Sequence, residues 1–93
     1  MRLTNQQIKD IKETVLSIDP KAKIHLFGSR TNDLLKGGDI DLLILSKTMG
    51  LKDKLRIRYL LKEKLGNRKI DIIVTPRPKD VFTRHALHNS LLL

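Results

Sequence analysis

Gly37-Gly38-Asp39-Ile40-Asp41-Leu42-Leu43-Ile44-Leu45-Ser46 is the stretch on which the fold of this chain turns. Ile40 and Leu42 to Leu45 are aliphatic on both parities, so the stretch reads as a strand covered on both faces at its far end. Aspartate is depleted in strands, because its side chain competes with the ladder and resists burial. Two aspartates nevertheless lead this strand. Alternation puts Asp39 and Asp41 on one face with Ile40 opposite.

The neighbouring segments supply the rest of the fold. Upstream, Lys23-Ile24-His25-Leu26-Phe27 is a short, partly β-branched strand bounded by Gly28, and residues 28–38 form a polar stretch with a helical turn in its middle. Before that, Thr4 three residues ahead of Gln7 makes a capping box, Ile8, Ile11, Val15 and Ile18 make an apolar helical stripe, and Asp19-Pro20 ends it. Downstream, Leu51 to Leu65 reads as a helix with Leu51, Leu55, Leu61 and Leu65 as its stripe and Gly66 as its stop. Lys69-Ile70-Asp71-Ile72-Ile73-Val74 is a third strand, again with an internal aspartate, stopped by Thr75-Pro76. Asp80 caps a last helix through His88, and Leu91-Leu92-Leu93 is an apolar end that docks on the body. The order is helix, strand, turn, strand, helix, strand, helix. It predicts an α/β (α+β) fold, a small mixed β-sheet flanked by helices.

Ninety-three residues suit one domain, spanning 1–93, that buries roughly 60–65% of its unfolded surface. Only Phe27, Tyr59 and Phe82 are aromatic, which argues against a binder that stacks single-stranded bases. The absence of cysteine excludes disulfide scaffolds, thiolate zinc sites and cysteine nucleophiles. No apolar run approaches the roughly 20 residues of a membrane span, and the first residues lack a signal-peptide core, so the expectation is a soluble, cytoplasmic domain with no membrane role. Lysine and arginine number 19 against 10 acidic residues, a net charge of +9. Such a field attracts phosphates, nucleic acid or an acidic protein face.

Asp71, from a strand beside Asp39 and Asp41, would complete a cluster of three carboxylates. Three anions that close together raise one another's pKa unless a cation sits among them. Carboxylate oxygens, with water and phosphate oxygens, are the ligand set that Mg²⁺ prefers. Two such ions about 3.5–4 Å apart can stabilise the attacking and leaving oxygens of a phosphoryl displacement. Taken one at a time the residues have ordinary explanations: Asp39 ends a loop, Asp41 pairs with a lysine, Asp71 sits at a strand edge. Upstream, Gly28-Ser29 follows a strand, where glycine admits a close phosphate and the serine offers an N–H and an O–H.

Gly28-Ser29-Arg30, then Asp39-Ile40-Asp41 with nine residues between the serine and Asp39, and then the aliphatic run resemble the signature of the nucleotidyltransferase superfamily related to DNA polymerase β. The resemblance, from about Ile24 onward, is nearest to the minimal MntA-like (MNT) branch, which is paired with HEPN-domain partners. Asp71 falls where that family has its third carboxylate. Thr31, Asn32, Asp33 and Gly38 depart from residues usual in relatives. The resemblance implies a polymerase-β-like palm in which Asp39 and Asp41 ligate two Mg²⁺ ions and Asp71 joins the ion that activates the attacking hydroxyl. Gly28 and Ser29 would hold the β and γ phosphates of a nucleoside triphosphate, and Arg30 would reach a phosphate. The implied reaction moves a nucleoside monophosphate, AMP from ATP, to a hydroxyl. In HEPN–MNT pairs that hydroxyl is a tyrosine of the partner ribonuclease toxin, which makes the MNT protein the antitoxin. The chain ends almost where the palm would end, so the acceptor is expected to arrive with a partner; nucleic acid and oligomerisation are compatible additions.

Two other readings remain open at this level. One is a non-catalytic basic module that neutralises an acidic partner or RNA, and the other is nucleotidylation of a small hydroxylated molecule with a partner subunit. Eight cations against two carboxylates give the segment from Met49 to Lys69 a net charge of +6, which reads as a solvated helix face or as a docking surface. His85 and His88 lie three apart but lack a third metal ligand, His25 reads as a strand residue, and Tyr59 as a half-buried helix aromatic.

Overall fold

A computed structural model describes residues 4–27, 40–66, 69–88 and 90–93. Its elements are α1 (Asn5–Ile18), β1 (Lys23–Phe27), β2 (Ile40–Leu45), α2 (Leu51–Leu65), β3 (Ile70–Thr75), α3 (Val81–His88) and β4 (Leu91–Leu92). Local chemistry sets their ends. The Gln7 N–H donates to Thr4 Oγ1 at 3.1 Å while the Thr4 N–H donates to Gln7 Oε1 at 2.8 Å, closing the expected capping box. α1 stops at Asp19, whose extended backbone (φ −141°, ψ 102°) is what a following proline demands. α2 ends on Gly66 at φ 87°, a conformation that costs a residue with a Cβ. Asp80 Oδ1 accepts the Thr83 N–H at 2.7 Å and opens α3.

The four strands form one mixed sheet in the order β3-β2-β1-β4. β2 pairs antiparallel with β1, with Lys23 opposite Leu45 and Phe27 opposite Asp41, and parallel with β3 through the α2 crossover. On one face Ile24, Leu26, Ile40, Leu42, Ile44, Ile70 and Ile72 pack against Ile11 and Val15 of α1 and Ile57, Leu61 and Leu65 of α2. The other face carries His25, Phe27, Asp41, Leu43, Asp71 and Ile73. α3 lies there, since the Phe82 ring meets Phe27 edge-on at 6.4 Å and Leu43 is fully buried. β2 is therefore covered on both sides, as its aliphatic run requires. The α+β sheet flanked by helices is the expected fold.

Two expectations need correction. The inner stripe of α2 is Ile57, Leu61 and Leu65, whereas Leu51 and Leu55 are 69% and 50% exposed. At about 100° per residue Leu55 lies on the side of the helix away from that stripe. Tyr59, at 64% exposed, shares the outer side and is not half-buried. The apolar end docks as expected, with the Leu93 side chain packed against the core. Leu91 and Leu92 pair with Leu26 and His25 as an edge strand with largely exposed side chains, and the Leu93 N–H donates to Ile24 O at 2.9 Å.

Candidate functional site

Strand register brings the second and third acidic residues together. Asp41 is paired with Asp71 across the parallel β2–β3 ladder and with Phe27 across the antiparallel β1–β2 ladder, making one row over three strands. Residues paired in this way project to the same face, on strands about 4.8 Å apart. Both carboxylates are half-buried. Like charges directly opposite on adjacent strands repel, a cost that neighbouring partners or a bound cation offset. The ladder continues one bond beyond the row, where the Ile40 N–H donates to Lys69 O at 2.9 Å.

The other expected site residues, Asp39, Gly28, Ser29 and Arg30, lie outside the described residues. In sequence Asp39 precedes Ile40 and Gly28 follows Phe27. Among the described residues no group of three or more histidine, cysteine, aspartate and glutamate side chains is placed to hold a metal. What is present at the row is a pair of hard oxygen donors, which suits Mg²⁺ better than a soft or nitrogen-seeking metal.

The histidines sit apart from this role. His85 and His88 are exposed on α3. The Ser90 hydroxyl donates to Leu87 O at 2.6 Å, so the His25 Nδ1, 3.2 Å from Ser90 Oγ, is the donor in that second bond. Partial burial, then the charge of Lys23, depresses the His25 pKa below its usual value. His25 thereby latches β1 to the α3–β4 turn.

At the opposite end of β2 lies a polar knot that the pattern of the sequence did not announce. Ser46 Oγ donates to the Asp19 carboxylate at 2.5 Å and accepts the Thr48 and Met49 N–H groups at 3.3 and 3.2 Å. The Lys21 N–H donates to the other Asp19 oxygen at 3.0 Å. These bonds, the Ser46 hydroxyl first, hold the Asp19 carboxyl below the usual carboxylate range. Asp19 had shown only a helix end, and Ser46 only the end of a strand. The sole hint was an acidic residue ahead of a proline.

The chain is a parallel β-α-β unit joined to an antiparallel strand, with two aspartates at matched register. The chain matches the nucleotidyltransferase domain family over residues 8–91 and belongs to it. It is also 32% identical over 81 residues to Poly(A) RNA polymerase protein 2 of Saccharomyces cerevisiae (strain ATCC 204508 / S288c), an alignment covering 83% of this chain and 14% of that protein. The chain thus spans about a seventh of the length of that relative. Members of the nucleotidyltransferase family in general use a nucleoside triphosphate and a divalent metal.

Proposed function

We propose that residues 1–93 act as one minimal nucleotidyltransferase domain that carries out Mg²⁺-dependent transfer of AMP from ATP to a hydroxyl of a protein partner, as the antitoxin of a HEPN/MNT pair. The observation that carries the reading is the Asp41–Asp71 pairing at one end of the sheet. Family membership supports nucleotidyl transfer. Asp39, Asp41 and Asp71 are the metal ligands of this reading, and Mg²⁺ held by them would supply positive charge to the phosphate oxygens. Gly28, Ser29 and Arg30 hold the triphosphate. The acceptor oxygen attacks the α-phosphorus, the α–β bridging P–O bond breaks, pyrophosphate leaves and the hydroxyl proton passes to solvent.

A protein acceptor is supported by the outer side of α2. Leu51, Leu55 and Tyr59 follow one another at i, i+4 and i+8 and are exposed, with Lys52, Arg58 and Lys62 beside them on the helical wheel and Glu63 hydrogen-bonded to the Tyr59 hydroxyl. An apolar strip bordered by three cations and one carboxylate, a net positive rim, fits an acidic, amphipathic partner surface. The relative's name favours a second acceptor, an RNA 3′ hydroxyl.

The test is incubation with α-³²P-ATP, Mg²⁺ and either a HEPN-type partner or an oligoribonucleotide. Label in the protein that is lost with Asp41→Ala supports the first reading, and label in the RNA supports the second. No label in either with the wild-type chain overturns transfer. If Asp41→Ala still suppresses the partner while charge reversal at Lys52, Arg58 and Lys62 does not, the non-catalytic basic module is correct.

A further inference from the structure

The end of β2 farthest from Asp41 opens into a cavity of about 530 Å³ lined by Lys21, Lys23, Lys47, Asp19, Ser46 and Thr48 among others. Small-ligand sites span roughly 300–1,000 Å³. The floor is built from buried polar groups, since Asp19 is 8% and Ser46 5% exposed and the hydrogen bonds described above tie them to each other and to the backbone of residues 21, 48 and 49. Three exposed lysines line this cavity, drawn from the α1–β1 turn, the start of β1 and the β2–α2 loop. Among the described residues none of them forms a salt bridge, although the charge of Lys21 acts on the Asp19 carboxylate and that of Lys23 on His25. Asp19 is the only carboxylate of the lining, and its oxygens already accept from Ser46 and Lys21. The cavity therefore carries three positive charges against one negative, a net of +2.

We propose that this cavity is a binding site for a phosphate dianion, separate from the row of carboxylates. A phosphate monoester or pyrophosphate carries about −1.5 to −2 or more at neutral pH, which matches the excess charge, and its oxygens accept from ammonium donors. The four residue steps from Asp41 to Leu45 set the two sites about 13 Å apart along β2. They also lie at opposite ends of the strand, since Leu45 pairs with Lys23 and Asp41 with Phe27. The phosphate can come from free pyrophosphate or from the terminal phosphate of an RNA.

The test uses ¹⁵N amide shifts of the chain titrated with pyrophosphate, and in parallel with a short oligoribonucleotide carrying either a 5′ phosphate or a 5′ hydroxyl. Shifts centred on residues 21–23 and 46–48, weakened at least about tenfold in Lys21→Gln/Lys23→Gln/Lys47→Gln and reduced by added salt, support the site. A response to pyrophosphate alone identifies a free anion as the occupant, and a response to the 5′-phosphorylated RNA over the 5′-hydroxyl RNA identifies a terminal phosphate. No shift at these amides up to about 10 mM pyrophosphate and with either RNA, or shifts unchanged in the triple variant, overturns it. The triple substitution leaves Asp19 and Ser46 in place, and unchanged thermal unfolding checks that the floor persists. The titration is run without divalent metal and repeated in Asp41→Asn/Asp71→Asn, so its outcome is independent of nucleotidyl transfer.

Discussion

The two ends of β2 solve opposite electrostatic problems. At one end Asp41 and Asp71 face each other across a parallel ladder, half-buried and like-charged. At the other, Asp19 is the more deeply buried acid, yet the Ser46 hydroxyl and the Lys21 N–H satisfy it, and the three lysines around it hold the excess charge. A buried carboxylate with donors built into the fold is a structural element. A carboxylate opposed to another at matched register is, in the function proposed above, one of the ligands of a bound cation. The same strand thus joins a pair of facing aspartates at one end to a cavity lined by three lysines and one aspartate at the other.

The contrast can be broken most severely at its middle. Leu43 is fully buried under α3, midway between the two ends. Leu43→Ala is expected to cost about 2–5 kcal/mol in urea unfolding, a large part of the stability of so small a domain. Next in size, Asp41→Asn or Asp71→Asn should lower AMP transfer at least about 100-fold, or about 2.7 kcal/mol in the barrier. In metal-free buffer Asp71→Asn should instead raise stability, by about 0.2–1 kcal/mol, because one of two opposed charges is gone. A loss of stability there would mean that the row is not strained.

Ser46→Ala should do the reverse at the other end. It removes the donor to Asp19 and the acceptor of two backbone N–H groups, at about 1–3 kcal/mol. The sign of its pH dependence follows from the depressed Asp19 pKa. The wild-type contribution is present above the ordinary value of 3.8 and lost as pH falls through the folded value, so the acid-side loss should be smaller in the variant. The smallest effect belongs to His25. Its folded pKa lies below 6.5, so the unfolded chain binds its proton first and stability should decline as pH falls below about 6.5, levelling off under the folded value. His25→Gln should flatten that slope in thermal melts taken between about pH 7.5 and 5.5.

Much of the architecture is legible along the chain because its signals are local. The Thr4–Gln7 box, the Asp19-Pro20 stop, Gly66 and the Asp80 cap each act within a few residues, and α1 begins and ends, α2 ends and α3 begins where those signals lie. The double-sided burial of β2 was readable from its two-parity aliphatic run. The face of α2 was not. Leu51, Leu55, Leu61 and Leu65 form only an approximate stripe, and the true inner line of Ile57, Leu61 and Leu65 depends on how the crossover seats on the sheet. Asp71 was a candidate from its place inside a strand, but nothing local says which strand it joins or in what register.

The sequence by itself determined the identity of the helices and of the three longer strands, and their limits to within about a residue, because capping, chain-breaking and alternation act over a handful of residues. It also determined the basic charge and the supply of acidic residues to strands. Only the tertiary structure decided that Asp41 meets Asp71, that Leu55 and Tyr59 point outward, and that Lys21, Lys23 and Lys47 gather over Asp19 and Ser46. Those meetings join segments far apart in the chain. Their register follows from how the whole apolar set packs, and no local preference encodes it.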